Sequence, residues 1–396
     1  MERADRSRRL LAAAKSTWPW WLIAGLGAFL GTRHVLKGFS DFSVSLRAAE
    51  ELSLGIADVY RLHDDVDEVF GYPHAVLLPL LGLLQLVSPR CITLLFGLSQ
   101  GLATLLLARD LRRLFPAAGW AAALTFVVLF GRVFENNWRN GQPALWCGVL
   151  VTHGIWRLVQ ARPRAGGICL AGAALLKLTP GLFLPALLAA RQFRGALWLG
   201  GSAAFAALVL PIPFLGWELH YAALRCFGEA MLLPFVDPER GATVVWHAHS
   251  WSIGGALGWL PRPVRMLWSL LVLLLLVAGW RRRTLLRTRL ALVTLAMVLY
   301  SPLTRVHHLA LAAVPLFGFC AEGPGRGRAR GLWFATAGLL LVAMPLRQKS
   351  LLGEALWRQL DEWPVGHLGL VGVLLWTVVH AAPTVPACPA TPNSSA

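Results

Sequence analysis

Apolar runs recur along nearly the whole chain, separated by short polar stretches. Judged against the roughly 20 residues that cross a bilayer as a helix, they give about twelve candidate membrane segments. The first runs from Trp18 to about Val35. Others lie near 73–88, 91–108, 118–134, 143–159, 166–190, 196–214, 262–280, 288–302, 307–321, 331–346 and 365–382. Lipid offers a bare backbone no hydrogen bonds, so this pattern predicts one all-α polytopic membrane domain over 18–382. Two stretches, 37–72 and 215–261, are too long for tight turns and predict larger loops. The tail 383–396 is rich in Pro, Ser and Thr and predicts disorder.

Composition agrees. Hydrophobic residues are 56% of 396 and charged ones only 14%, against about 25% charged in soluble chains. The six cysteines show no CxxC spacing and four lie in apolar runs, which excludes a secreted disulfide scaffold. A net charge of +17 raises the question of nucleic acid. Its distribution answers that question. Basic residues cluster just beyond apolar segments: Arg3, Arg6, Arg8, Arg9 and Lys15, then Arg281 to Arg283 with Arg287 and Arg289, then Arg326, Arg328 and Arg330. This is the cytoplasmic bias that sets orientation, and no nucleic-acid partner is expected. Eight of the twenty carboxylates fall between Asp41 and Glu68, which belongs on the far side.

These signals place the basic residues 1–17 inside, with the first segment a retained anchor because no small-x-small cleavage site follows it. An even number of crossings puts both termini inside and both long loops outside. Two segments stay ambiguous. Segment 73–88 is divided from 91–108 by little more than Pro89 and Arg90, and Lys177 sits midway in 166–190. Straight crossings throughout put Arg109, Arg112 and Arg113 outside; re-entrant hairpins at these two segments put them inside. The sequence leaves both open.

Ionisable groups at a membrane boundary are functional candidates because they are costly to place there. Asp41 follows the first span in Gly-Phe-Ser-Asp-Phe-Ser, where a carboxylate could take a proton from an attacking hydroxyl; an ordinary loop acid is the alternative. His307 and His308 could orient a phosphate, hold a sugar hydroxyl or bind a metal, or could merely cap a span. On an α-helix they would point roughly 100° apart, so one shared metal is not expected. Lys177 is the lysine that lies inside an apolar run, and its ammonium calls for an anion such as a lipid phosphate. Alternatively it snorkels at a break forced by Pro180. Asn136, Asn137, Arg139, Asn140 and Gln142 line a cavity or form an amide-rich loop. Trp246 to Ser252 mixes aromatics with donors, as sugar sites do, though interfacial tryptophans also anchor.

In order, these landmarks resemble the GT-C fold glycosyltransferases that use polyprenyl-phosphate sugars, in particular the α-mannosyltransferase-like glycosyltransferase family 87. The resemblance rests on Asp41-Phe-Ser-Val, Gly55 to Tyr60, Tyr72-Pro73-His74, Gly141-Gln142, Leu176-Lys177 to Pro180, Ser250 to Gly255, and Ser301-Pro302 to His307-His308. Departures are His74 for a second proline, Ala144 for an asparagine, Ser250-Trp251 for Asn-Gln, and Arg305 for a tryptophan. The resemblance implies inverting transfer of a sugar, mannose in that group, from a polyprenyl-phosphate donor to a glycolipid or glycan acceptor. Asp41 would be the general base. His307, His308, Lys177 and Arg305 would hold the donor, and Tyr72, Gln142, Trp251 and Ser252 the sugar or acceptor. No cofactor and no metal are implied, and the active site would face the periplasm or cell exterior at the cell membrane, among membrane lipids. A transporter or flippase for a lipid-linked substrate is the competing class; no repeat between halves favours it.

Overall fold

A computed structural model describes residues 20, 22–33, 40–60, 70–233, 251–283, 285–301, 304–325, 327–346, 352–354 and 364–380. The described residues are helical throughout, with no strand among them. The acids Asp64, Asp65, Asp67 and Glu68, the stretch Trp246 to Ser250, and the N- and C-terminal tails fall outside that set. In chain order the helices are α1 (Leu22–Arg33), α2 (Ser40–Ser53), α3 (Leu78–Leu84), α4 (Pro89–Leu114), α5 (Trp120–Asn140), α6 (Ala144–Val159), α7 (Pro163–Leu176), α8 (Phe183–Ala189) and α9 (Phe193–Ala204). They continue with α10 (Ile212–Leu215), α11 (Trp217–Phe227), α12 (Ile253–Ala256), α13 (Arg262–Arg282), α14 (Leu286–Tyr300), α15 (Ala313–Glu322), α16 (Arg328–Ala343) and α17 (Val365–Val379).

Among the described residues, three stretches are long and apolar enough to cross a membrane: α4, Phe193–Leu215 and α13. Each buries one face in the core, as α4 does with Leu107 and Leu111, and leaves many other apolar side chains exposed. Leu197 is 73% exposed and Leu267 68%, a surface that suits hydrocarbon rather than water. α4 shows how such a helix is bounded. Ser88 caps it by accepting from the Cys91 amide at 3.4 Å, Pro89 fits its first turn, and Pro116 lies just past its end. Its 26 residues rise about 39 Å, more than the hydrocarbon core requires.

The two ambiguous segments are both broken. Segment 73–88 becomes a 3-10 turn, His74–Leu77, followed by the seven-residue α3. Segment 166–190 stops at Leu176, resumes as a 3-10 turn at Thr179–Leu182 and ends as the short α8. Lys177 occupies the break with extended backbone, φ −161° and ψ 128°. Pro180 explains it, because proline has no amide hydrogen to give the carbonyl four residues back, here that of Leu176, and its ring clashes with that carbonyl. The loops also hold more structure than their polarity implied. The stretch 37–72 contains α2 and 215–261 contains α11.

Contacts at helix ends decide where the Arg109 group lies. Arg287, at the start of α14, donates to the Leu114 carbonyl at the end of α4, covers the Phe115 ring at 4.3 Å and meets Glu322 of α15 at 4.0 Å. Arg283 donates to the carbonyls of Thr377 and His380 at the end of α17. Arg109, Arg112 and Arg113 therefore share one end of the bundle with Arg281 to Arg289, as the re-entrant alternative requires.

Helices pack closely through small residues, as they do in lipid. A methyl group on Gly31 would stand 2.6 Å from the Gly97 carbonyl oxygen, and one on Gly101 would stand 2.7 Å from that of Ala24, so α1 lies directly on α4. Gly167 is equally close to the Gly195 carbonyl, joining α7 to α9. A methyl on Gly148 of α6 would reach the Ala310 oxygen at 2.6 Å. Ala310 belongs to the 3-10 segment Val306–Ala312 that carries the two histidines. Gly148→Ala should therefore cost about 1–3 kcal/mol of stability and displace that segment. Thermal unfolding in detergent would show it as a lowered Tm, and an unchanged Tm would mean that the interface yields freely.

Candidate active site

The end opposite the arginines gathers most of the polar residues singled out in the sequence. α5 delivers Asn136 and Asn137 in its last turn, which Gly141 closes in the left-handed conformation, φ 63° and ψ 41°. Glycine suits that position, and it lets the amides of Gly141 and Gln142 both reach the Asn137 carbonyl. The amide-rich stretch is thus a helix end rather than a loop. Gln142 is 5% exposed, and its carbonyl accepts from the Gln100 amide at 3.4 Å.

The segment Val306–Ala312 lies against α5 and α6. His307 is not on an α-helix, as its span suggested, but on this 3-10 turn, where successive side chains are about 120° apart. The ring centroids of His307 and His308 are nonetheless 4.1 Å apart, edge to face. His307 Nδ1 meets Asn136 Oδ1 at 3.1 Å, so that nitrogen carries the proton. Its carbonyl accepts from Asn137 Nδ2 at 3.3 Å. His308 Nδ1 accepts from the Arg305 amide at 3.3 Å, which points its other nitrogen away from the backbone. Lys177 reaches the same end, because the Thr179–Leu182 turn that follows it lies against α14, and α14 lies against the Val306–Ala312 segment that Arg305 precedes. Among the described residues no carboxylate forms an ion pair with Lys177. The Oδ1 of Asn137 and the Oε1 of Gln100 are buried without a hydrogen-bond partner. Two cations, two histidines and spare amide oxygens so converge at one end of the bundle.

Trp251 and Ser252 join this group through the backbone. The Trp251 amide donates to the Thr304 carbonyl at 2.7 Å, fixing the strand of chain that leads to Arg305. Trp251 was expected to offer its face to a sugar. It is 2% exposed instead, and its ring lies over Gly366, where an added methyl would stand 2.6 Å away. His367 Nδ1 donates to its carbonyl at 3.1 Å, and the Trp268 indole donates to His367 Nε2 at 2.9 Å. Ser252 is fully buried, and its hydroxyl caps α12 by accepting from Gly255 at 3.3 Å.

Asp41 and Tyr72 belong to a second packed unit formed by the two long polar stretches, 37–72 and 215–261. Asp41 is half-buried in the first turn of α2, not in a loop, and it already engages a partner. The neighbouring Phe42 stacks on Phe96 of α4 at 4.0 Å. Tyr72 meets Phe70 edge-on at 5.6 Å, within a cluster that includes Tyr60 and Phe227. Burial pushes the Tyr60 hydroxyl well above its usual range. α2 touches α3, the His74 turn and α5, and the His74 turn touches α7, so this unit sits over the same end as the histidines.

One pairing escaped the sequence reading. His74 Nε2 lies 2.8 Å from His220 Nδ1, and His220 Nε2 lies 3.0 Å from the Leu208 carbonyl. The carbonyl can only accept, so His220 carries its proton on Nε2 and receives one from His74. Both rings are buried. The signal available was His74 itself, standing where the resembled pattern has proline. Its partner lies 146 positions away and carries no motif. Among the described residues no three His, Cys, Asp or Glu side chains converge as a metal site.

A family model described as glycosyltransferase family 87 matches residues 70–304. The match takes in Tyr72, Gln142, Lys177, Trp251 and Ser252, begins after Asp41, and ends one residue before Arg305. No curated protein and no solved structure matches the chain. With more than half of its length covered and an all-helical membrane fold whose polar residues gather at one end, the chain belongs to glycosyltransferase family 87.

Proposed function

We propose that this membrane glycosyltransferase transfers a sugar, mannose by the family resemblance, from a polyprenyl-phosphate donor to an acceptor hydroxyl with inversion. The observation that carries the reading is the convergence of Lys177, Arg305, His307 and His308 at the end of the bundle opposite the arginine-rich one. Lys177, which forms no ion pair with a carboxylate among the described residues, suits a phosphate whose lipid chain runs into the bilayer. Asp41 accepts the proton of the acceptor hydroxyl. The oxygen attacks the anomeric carbon as the carbon–oxygen bond to phosphate breaks, and the lipid phosphate leaves with the bonding electrons. Lys177 and Arg305 meet the charge that grows on the leaving phosphate, which is where a fixed cation does most to lower the barrier. Tyr72 and Gln142 contact the sugar or acceptor, while Trp251 and Ser252 position the chain that leads to Arg305. The leaving group is already a phosphate, so the step calls for neither nucleotide nor metal.

Purified protein in detergent, given labelled polyprenyl-phosphate mannose and mixed mannoside acceptors, tests this. Transfer to an acceptor with release of polyprenyl phosphate is expected. Transfer from a nucleotide sugar in its place would overturn the donor assignment.

Orientation follows from the same reading. The arginine-rich end faces the cytoplasm and α2 and α11 face outward. In a background lacking the native cysteines, Asp58→Cys and Glu218→Cys, both at exposed positions, should react with an impermeant maleimide in intact cells. Labelling only after lysis would place the site on the cytoplasmic side.

A further inference from the structure

We infer that the chain binds one anionic phospholipid at its arginine-rich end, along α4, apart from the site proposed for transfer. The lipid lies in a cavity of about 730 Å³ bounded by Trp20, α4 and the turn after it. Leu102, Leu105 and Leu106 line it toward the middle of α4, and Arg109, Arg112 and Arg113 line it at the end. These positions recur at the three- and four-residue spacing that stacks side chains on one helix face. One stripe of α4 is therefore hydrocarbon for about a turn and a half and cationic for the next. A molecule lying along it meets leucines and then guanidinium groups, which is the order a phospholipid presents from chain to head.

The cationic half is built around a buried carboxylate. Asp110 is fully buried and accepts from Arg109 Nε at 2.9 Å and Nη2 at 3.2 Å, from Arg113 Nη1 at 3.5 Å, and from His153 Nδ1 at 2.8 Å. It holds Arg109 and Arg113 in place and leaves that pair with one net positive charge. Each guanidinium carries five N–H donors, so Arg109 and Arg113 keep donors for a further acceptor. Their side chains stay 43% and 45% exposed. A neighbouring cavity shares Phe115 and is also rimmed by arginines. There, however, Arg283 and Arg287 donate to the carbonyls at the ends of α17 and α4. Those two close helix ends, whereas the Arg109 group faces a leucine-lined cavity. Basic pockets beside membrane helices are where acidic head groups bind. The leaflet, not the chemistry, rests on the orientation proposed above.

Lipid-stripped protein in neutral detergent should be titrated with phosphatidylglycerol, phosphatidylcholine, glycerol phosphate and inorganic phosphate, with bound lipid counted by native mass spectrometry. Phosphatidylglycerol should bind at least about fivefold more tightly than phosphatidylcholine, as the one net positive charge on Arg109, Arg113 and Asp110 implies. Arg109→Gln with Arg112→Gln should reduce that preference to under threefold. Ala118→Trp, which fills the cavity and leaves the Asp110 pairing untouched, should abolish the tight phosphatidylglycerol site. Should the arginine variant not fold, the tryptophan variant decides alone. A preference that survives filling the cavity overturns the site, and equal binding of phosphatidylcholine overturns the role of charge. Glycerol phosphate or inorganic phosphate competing at the lipid's own concentration would overturn the lipid in favour of a soluble anion. None of these results depends on sugar transfer.

Discussion

Replacing Asp41 by asparagine should lower sugar transfer by about 10²–10⁴-fold while leaving the folded protein nearly as stable as before. The rate loss is that of a missing general base, or roughly 3–5 kcal/mol of barrier at 1.36 kcal/mol per decade. Asparagine keeps the shape and the hydrogen-bonding reach of the side chain but cannot hold the transferred proton. Asp41 lies in the first turn of α2, where a negative charge also favours the helix, so a stability loss of about 0.3–1 kcal/mol is expected with it. The two effects are separable because one is read in turnover and the other in Tm. Asp58→Asn, at an exposed position of the same stretch 37–72, should cost less than tenfold. If Asp41→Asn keeps near-normal turnover and the Asp58 variant does not, the wrong base has been named.

Lys177→Met should raise the donor concentration needed for half-maximal rate by about tenfold to a hundredfold, the worth of one hydrogen bond to a charged group. Methionine keeps the length of the side chain and removes its charge. No carboxylate among the described residues loses a partner, so Tm should hold steady or rise. His308→Ala should move in the same direction by less, since a neutral ring gives a weaker contact than a cation. Donor dependence unchanged in both variants would place the phosphate elsewhere, with Arg305 the next to test.

Much of the helix order could be read from apolar runs alone. The run 143–159 coincides with Ala144–Val159, and 262–280 with Arg262–Arg282, because each is bounded by a proline, a glycine or an arginine group. Reading failed where hydropathy and backbone geometry part company. The run 307–321 is as apolar as any span, yet its first half is a 3-10 turn, and 166–190 is interrupted at Lys177. Hydropathy registers how oily a stretch is and not whether its backbone continues as a helix, so the interruption was visible only in Pro180. α2 was missed for the opposite reason. Its helix buries Ala48, Ala49 and Leu52 among charged neighbours, a pattern that looks like a loop when judged by polarity.

The candidate site was legible as a set of residue types and not as an arrangement. Lys177, Arg305 and the histidine pair could be named because charge and imidazole are rare inside apolar sequence. That Asn136 fixes the His307 ring, or that His74 pairs with His220, depends on separations of 171 and 146 residues. No local pattern encodes such distances. Trp251 shows the limit most directly. Its neighbours suggested a sugar platform, but a glycine far along the chain made room for its ring.

That glycine has a consequence for how the protein is made. Trp251 rests on Gly366, and His367 holds the Trp251 carbonyl. The chain that leads to Arg305 and the histidines is therefore clamped by the last described helix. During synthesis every proposed catalytic and donor-binding group leaves the ribosome before that clamp exists. A nascent chain halted near residue 350 can be inserted in the membrane with all of those groups translated, and still lack the support that sets their positions. Activity should thus arise late and all at once, on insertion of α17.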